Sequence, residues 1–527
     1  MKITIDGRSL EADEKESVLS CAVRNDISIP RLCTHPNLKP FGACRMCVVQ
    51  IEGMRGYPSS CSTPAVDGMV VHSNTEAVQE LRRSVLELIL LEHPASCLLC
   101  ARQETCDSFR PQASKAGRTT GCHTCGSKEN CGVRFLAEEL NIKQLPVPPT
   151  YRQLPLDRSD PFIDRDPNLC ILCGRCVGIC MEQHGVKIID FVGRGSDTRI
   201  GTAFGRPLAE VECRFCGSCI DVCPTGSLAD RYAKWFGKPR ESVETSCMLC
   251  EAACAIRVGA SGQGSMVTAI SVDPGIPICL LGRFGIPELL ASNSRLSVPK
   301  MRVGEVLREV TWEQAIAEAA ARLAAFVGDQ FALVCDITST LEDRQIFEKF
   351  TREVMKSPHY IEIQPSDRGV SQAPLPKGVK AALLTGAFVT DDALDTLEAL
   401  IVQDIYPTVA SERADVVLPV AVFTEVDGSW LDGSGIRRPL HKACRAPGRA
   451  RPEWQITAGL GHAMDAADFE FEDVLAIGER IDVPMAGIWV DRDTAPAAAL
   501  NPAMRRTHFR GHCLADQIRG LQDLSDV

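Results

Sequence analysis

Two runs of the chain, CILCGRCVGIC at residues 170–180 and CRFCGSCIDVCP at residues 213–224, each space four cysteines as Cys-x2-Cys-x2-Cys-x3-Cys. Thiolates at this spacing suit a pair of [4Fe–4S] clusters, in which a tight loop wraps three sulfurs around one face of each cube. The fourth cysteine of each run reaches across to the other cube. Cys170, Cys173, Cys176 and Cys223 are therefore assigned to one cluster, and Cys180, Cys213, Cys216 and Cys219 to its neighbour. The exchanged fourth ligands hold the two cubes near each other, and a short separation is what electron tunnelling needs. Structural zinc is the alternative, but zinc sites usually pair Cys-x2-Cys motifs rather than use a four-cysteine run.

Further donor groups lie on both sides of these runs. Cys33, Cys44, Cys47 and Cys61, at spacings x10, x2 and x13, suit a [2Fe–2S] centre on a small β-rich fold, with a zinc knuckle as the alternative. HPASCLLCARQETC places His93 one turn ahead of Cys97, Cys100 and Cys106, and these four are assigned to one [4Fe–4S] cluster, a surface or core histidine being the alternative for His93. A neutral imidazole ligand leaves a cluster with one less negative charge, which tends to raise its potential. The triad repeats as Cys122, Cys125 and Cys131 without a histidine at the matching place. Three ways to complete it stay open: His123, a residue distant in sequence, or competition with the first triad for His93. Cys247, Cys250 and Cys254, joined later by Cys279, suit one more [4Fe–4S] cluster, again with zinc as the alternative. Cys21, Cys335, Cys444 and Cys513 are left as packing thiols, Cys335 within the apolar run FALVCDI.

The chain has 26 cysteines in 527 residues, which calls for either disulfides or metals, and the spacing favours metals. MKITIDGRSLEAD is charged and alternating rather than an apolar signal core, so the thiols are expected to stay reduced in a cytoplasm. Direct membrane insertion is not expected either. No stretch reaches the roughly 18 consecutive apolar residues of a membrane span. A net charge of -11 without a basic stripe argues against a nucleic-acid partner. VGASGQGS lacks the Gly-x-Gly-x-x-Gly spacing that a dinucleotide turn requires.

The elements that must position these donors make the chain an α+β multidomain protein. Residues 2–6 and 8–12 alternate around Asp6-Gly7 as a hairpin, with a short helix from Ser17. Residues 78–92 form a helix presenting Val78, Leu81, Val85, Leu88 and Leu91 on one face, closed by Pro94. Pro146, Pro148, Pro149 and Pro155 mark a linker. After about Ser297, helical stretches such as WEQAIAEAAARLAAF alternate with the apolar runs FALVCDI and KAALLTGAF, an α/β pattern. The expected domains are a [2Fe–2S] ferredoxin-like β-grasp at 1–77, a His-Cys cluster domain with the second triad at 78–150, and a double [4Fe–4S] ferredoxin at 151–240. A further [4Fe–4S] unit at 241–297 and an α/β domain at 298–527 follow.

With these residues in order, residues 1–300 resemble the large iron–sulfur subunit of complex I and the α subunit of NAD-dependent formate dehydrogenase. The order of sites is most similar to the formate dehydrogenase, because complex I lacks the full eight-cysteine pair. The resemblance makes the spacing of Cys33, Cys44, Cys47 and Cys61 specific for [2Fe–2S], and makes the Cys247 set a molybdopterin-type cluster. The first three modules also resemble the N-terminal half of complex [FeFe]-hydrogenases, but hydrogen-cluster cysteine motifs do not follow, so hydrogenase activity is not expected. CLLGRFG, WEQAIAEAA and IVQDIYPTVASERADVVLPVAVFTEVDGSW resemble parts of a molybdopterin oxidoreductase. In that family a much longer stretch separates the last two segments and carries the active-site Cys or selenocysteine. Here it is about a hundred residues, so the domain after residue 298 is expected to be a shortened remnant without molybdopterin, molybdenum or tungsten.

The resemblance implies an iron–sulfur electron-transfer subunit of a cytoplasmic NAD(H)-linked, flavin-containing redox complex, in its bifurcating form or not. One [2Fe–2S] and four or five [4Fe–4S] clusters would carry single electrons between an NADH-oxidising flavoprotein resembling that of complex I and a further redox subunit. No substrate site or catalytic residue is expected in the chain itself. The alternative is a catalytic formate dehydrogenase-like subunit holding molybdenum or tungsten.

Overall fold

The N-terminal hairpin forms where Asp6 and Gly7 place two successive residues in the left-handed region, at φ 50° and 81°, the geometry that matches strand twist in a two-residue turn. Strands Lys2–Ile5 and Arg8–Glu11 pair across it. Lys2–Ile5 also pairs in parallel with Val70–His72, and Gln50–Ile51 completes a four-stranded sheet. The helix Val18–Arg24 starts as expected at Ser17, whose side chain accepts the Ser20 N–H. Its Cys21 is buried in the core with Ile3, Ile5 and Val71, as a packing thiol should be.

The computed structural model describes residues 1–100, 119, 121–235, 239, 241–261, 266–336, 338–363, 374–386, 389–480, 508–509 and 512–513. Cys106 lies outside the described residues, and of Cys513 only its place in the strand His512–Cys513 is described. The chain divides into two units, one built on Met1–Lys238 with Asp273–Pro277, the other on Pro239–Val272 with the chain from Ile278 onward. Among the described residues no helix is long and apolar enough to cross a membrane.

The helix Glu76–Glu92 is present, capped by Thr75, but its buried face is not the expected one. Val78, Arg82, Leu86 and Leu90 face inward, Leu81, Val85 and Leu91 are half-buried, and Leu88 is 65% exposed. Two apolar stripes overlap in VLELILLE, and the inner one includes an arginine that a hydropathy pattern assigns to solvent. Arg82 is tolerated inside because its Nε and Nη2 donate to the carbonyls of Met46 and Val48 at 2.9 and 2.8 Å. The helix thereby grips the loop that carries Cys44 and Cys47.

In the ferredoxin region the strands Ile163–Arg165 and Leu228–Asp230 pair antiparallel and bring the outer ends of the two cysteine runs together. The Gly-rich insertion between the runs forms a second hairpin, Ile189–Val192 with Arg199–Thr202.

In the second unit, Glu241–Ser246, Ala255–Ser261 and Met266–Ser271 form an antiparallel sheet. The α/β alternation after Ser297 yields a seven-stranded sheet. Phe331–Asp336, Tyr360–Ile363, Ala381–Thr385, Ala399–Asp404 and Val416–Pro419 are parallel neighbours, and the hairpin Lys300–Val303 with Val306–Glu309 adds an antiparallel edge. Cys335 is fully buried in an interior strand of this sheet, next to its Tyr360–Ile363 edge.

The helix Leu341–Lys349 opens with a capping box between Thr340 and Asp343. The Asp343 carboxylate also accepts the Trp454 N–H at 2.7 Å, locking this helix to Glu453–Ala463. Burial, with the Glu453 charge second, pushes Asp343 up to about 7 against these hydrogen bonds. A folded-state value above the unfolded one means that stability is fully present below about pH 4 and is lost as pH rises through about 7. Asp343→Asn is therefore expected to flatten the fall in the urea midpoint of this unit between about pH 4 and 7, the interval between the unfolded and folded values. An equal fall in both proteins would contradict the assignment.

Candidate metal centres

The N-terminal set is arranged as two sulfur pairs. The Cys33 and Cys44 thiols hydrogen-bond each other, which draws Cys33 down and pushes Cys44 up; Cys47 and Cys61 do the same, with Cys61 drawn down and Cys47 pushed up. Each pair thus sets two sulfurs side by side. A [2Fe–2S] centre asks for this division, two thiolates on each iron. All four cysteines are buried. The turn between Cys44 and Cys47 holds Arg45 at φ 54°, while Ser60 N–H and Oγ–H both donate to the Cys47 carbonyl at 3.0 and 2.7 Å.

The two ferredoxin runs repeat one local conformation. Leu172 and Gly174 stand at φ 54° and 77°, Phe215 and Gly217 at φ 50° and 75°. The left-handed residues turn amide groups toward sulfur: Leu172 N–H donates to Cys170 Sγ and Phe215 N–H to Cys213 Sγ, both at 3.4 Å. Leucine and phenylalanine are costly in this region, and such strain gathers at functional sites. Cys170, Cys173 and Cys176 each lie within electrostatic range of Cys223, whereas Cys213 and Cys219 lie within range of Cys180. The sulfurs are therefore grouped with their fourth members exchanged between the runs. A cavity of about 610 Å³ is lined by Cys170, Cys173, Cys176 and Cys223. Burial holds the Cys170, Cys173, Cys176 and Cys213 thiols above their usual value, Cys173 and Cys213 to about 12, so binding iron there must release protons.

His93 ends the helix Glu76–Glu92 and is buried with Nδ1 lacking a hydrogen-bond partner; burial draws its imidazole down to about 4. A neutral ring with an orphaned buried nitrogen fits a metal ligand. Cys97 and Cys100 follow in a short 3-10 turn, and Cys122 and Cys125 stand in a matching one. The environments differ. Cys100 is exposed, while Cys122 and Cys131 lie in the buried cluster that holds Leu90 and Ala95 on either side of His93. Cys97 sits against the second triad, its Sγ accepting the His123 N–H at 3.3 Å.

In the second unit Cys247 is within range of Cys250, Cys254 and Cys279, and burial raises all four. The Cys247 N–H is bonded to the Cys254 carbonyl at 2.9 Å, closing the motif into a loop. Ala253 stands at φ 45° within it.

Among the described residues no three His, Cys, Asp or Glu side chains stand at the spacing of a single metal ion; the ligands of a [4Fe–4S] cluster would each reach a different iron and those of a [2Fe–2S] centre would divide two and two, so neither set needs three donors around one ion. Sequence patterns did not single out Arg82, which braces the [2Fe–2S] loop, or Leu172 and Phe215, which aim amides at sulfur. The signal available for the last two was the repeated place in CILCG and CRFCG, one residue ahead of the second cysteine.

Comparison with known proteins matches three stretches of the chain. Residues 1–76 match the family of 2Fe-2S iron-sulfur cluster binding domains, residues 160–229 the ferredoxin-like domain of NADH-quinone oxidoreductase subunit 3, and residues 361–463 the molybdopterin oxidoreductase family. The chain resembles the large iron–sulfur subunit of complex I. It is 30% identical over 387 residues to NADH-quinone oxidoreductase subunit 3 of Thermus thermophilus, covering 68% of this chain and 47% of that protein. Identity is 30% over 412 residues to the α subunit of the NADPH-Fe(3+) oxidoreductase of Geobacter sulfurreducens, covering 76% and 44%. It is 30% over 314 residues to subunit HndD of the NADP-reducing hydrogenase of Solidesulfovibrio fructosivorans, covering 58% and 48%. The chain thus spans a little under half of the length of each of these relatives.

Proposed function

We propose that the chain is the iron–sulfur electron-transfer subunit of an NAD(P)H-linked oxidoreductase complex, passing single electrons between a flavoprotein and a second redox partner. The observation that carries this reading is one buried cluster holding Cys33 and Cys44, Cys122 and Cys131, and Cys173 together. Three cysteine sets far apart in sequence meet in one core, and Cys219 of a fourth lies within range of Cys176. Iron–sulfur clusters in these sets would supply one-electron carriers at short separations, and the chain's part is to hold, space and tune them. The relatives named for NADH or NADPH oxidoreduction support the nicotinamide end.

The ligands proposed are Cys33, Cys44, Cys47 and Cys61 for [2Fe–2S], and the two exchanged ferredoxin sets and the Cys247 set for three [4Fe–4S] clusters. For the fourth [4Fe–4S], His93 is proposed with Cys122, Cys125 and Cys131, of which Cys122 and Cys131 are buried and Cys125 half-buried. Cys122→Ala is then expected to remove one cluster, seen as a lost signal in electron paramagnetic resonance, while Cys100→Ala keeps it. The reverse result would return the site to the first triad. Molybdopterin is not part of the proposal.

The function is tested by anaerobic purification from the native host with identification of bound proteins. A flavoprotein that co-elutes, and through which NADH or NADPH reduces the clusters, is the expected result. A chain that oxidises formate or reduces CO2 to formate, with stoichiometric molybdenum or tungsten, would overturn it.

A further inference from the structure

The loop that carries Cys33 and Cys44 packs on the short helix that carries Cys176. Lys39 N–H donates to Glu182 at 2.9 Å, Phe41 stacks on Phe191 with ring centroids 5.6 Å apart, and a Cβ on Gly174 would stand 3.1 Å from the Phe41 ring. At this seam lies Arg175, between Cys173 and Cys176 in sequence. Its guanidinium is within electrostatic range of Cys173 and Cys223 of the first ferredoxin set and of Cys33 and Cys44 of the N-terminal set.

Arg175 is poorly neutralised. Its Nη1 donates weakly to the Val222 carbonyl at 3.4 Å, its Nε is buried without a hydrogen-bond partner, and among the described residues it makes no ion pair. A cation held at a packed seam without a carboxylate is costly unless other negative charge compensates it. A [2Fe–2S] or [4Fe–4S] centre with four thiolates carries net negative charge and gains one more on accepting an electron. Thiolate sets from two such centres are the anionic groups that face this side chain.

We propose that Arg175 is a positioning residue serving two clusters at once, a shared counter-cation that raises the potentials of the [2Fe–2S] centre and the first ferredoxin cluster together. The proposal rests on the cluster reading above. Its electrostatic reach joins two carriers that belong to different modules of the chain, so the seam sets their potentials as well as their spacing. The sulfurs that face Arg175 belong to the first ferredoxin set and the N-terminal set, while the second ferredoxin set has Arg214 beside Cys180 and depends less on Arg175.

The test is a potentiometric titration of the full-length, cluster-loaded protein followed by electron paramagnetic resonance, comparing Arg175→Gln, Arg175→Met and Arg175→Lys. Both neutral variants are expected to move the [2Fe–2S] and first-cluster midpoints to lower potential together, the second ferredoxin cluster by less. Lysine should restore them most of the way. If neither neutral variant assembles the two clusters while lysine does, the need for positive charge at this place is equally supported. Unchanged midpoints in a neutral variant that holds both clusters, or a lysine variant that behaves like glutamine, would overturn the proposal. Absence of iron–sulfur signals in the unsubstituted protein would instead defeat the cluster reading.

Discussion

Replacing Cys223 by alanine is expected to abolish the four-iron cluster anchored by Cys170, Cys173 and Cys176, far from it in sequence, and to leave the cluster anchored by Cys213, Cys216 and Cys219. Sequence proximity alone predicts the opposite, since Cys223 follows Cys219 directly in its own run. The expectation follows from the grouping of sulfurs: Cys223 lies within electrostatic range of Cys170, Cys173 and Cys176, and Cys180 within range of Cys213 and Cys219. Cys180→Ala should give the reciprocal loss. Iron content and low-temperature resonance spectra of the two variants check both. A Cys223→Ala protein that keeps the first cluster and loses the second would show that each run holds its own cube.

Arg82→Met is expected to destabilise the [2Fe–2S] region by about 3 kcal/mol, because each buried carbonyl left without a donor costs roughly 1–3 kcal/mol. Arg82 is 1% exposed, and its two hydrogen bonds fall on the carbonyls of Met46 and Val48, the neighbours of Cys47. Methionine fills much of the same volume but donates nothing. The loss should appear as a lower denaturant midpoint for bleaching of the [2Fe–2S] absorbance, with Arg82→Lys falling between the two because one ammonium cannot span both carbonyls as the planar guanidinium does. An unchanged midpoint in Arg82→Met would mean that the loop does not depend on this brace.

These two residues also mark where legibility in the sequence stops. The cysteine runs could be read directly, since metal ligation constrains spacing within a few residues, and the same holds for the Asp6-Gly7 hairpin and the Ser17 cap, which are local choices. Arg82 was illegible because hydropathy patterns treat every arginine as solvent-facing, and only the distant carbonyls of Met46 and Val48 explain its burial. The inner face of its helix was misplaced for the same reason. The meeting of Cys33, Cys122 and Cys173 in one core is a tertiary fact that no periodicity records. Neither is the order of the seven-stranded sheet, although its alternation of helices and apolar strands was evident from FALVCDI and KAALLTGAF.

The central claim, a series of protein-bound iron–sulfur carriers without a pterin metal, is tested most directly by the metal content of the anaerobically purified full-length protein. One [2Fe–2S] and four [4Fe–4S] centres predict about eighteen irons per chain with molybdenum and tungsten absent. A protein that holds zinc in place of iron, or molybdenum or tungsten stoichiometric with the chain, would contradict it.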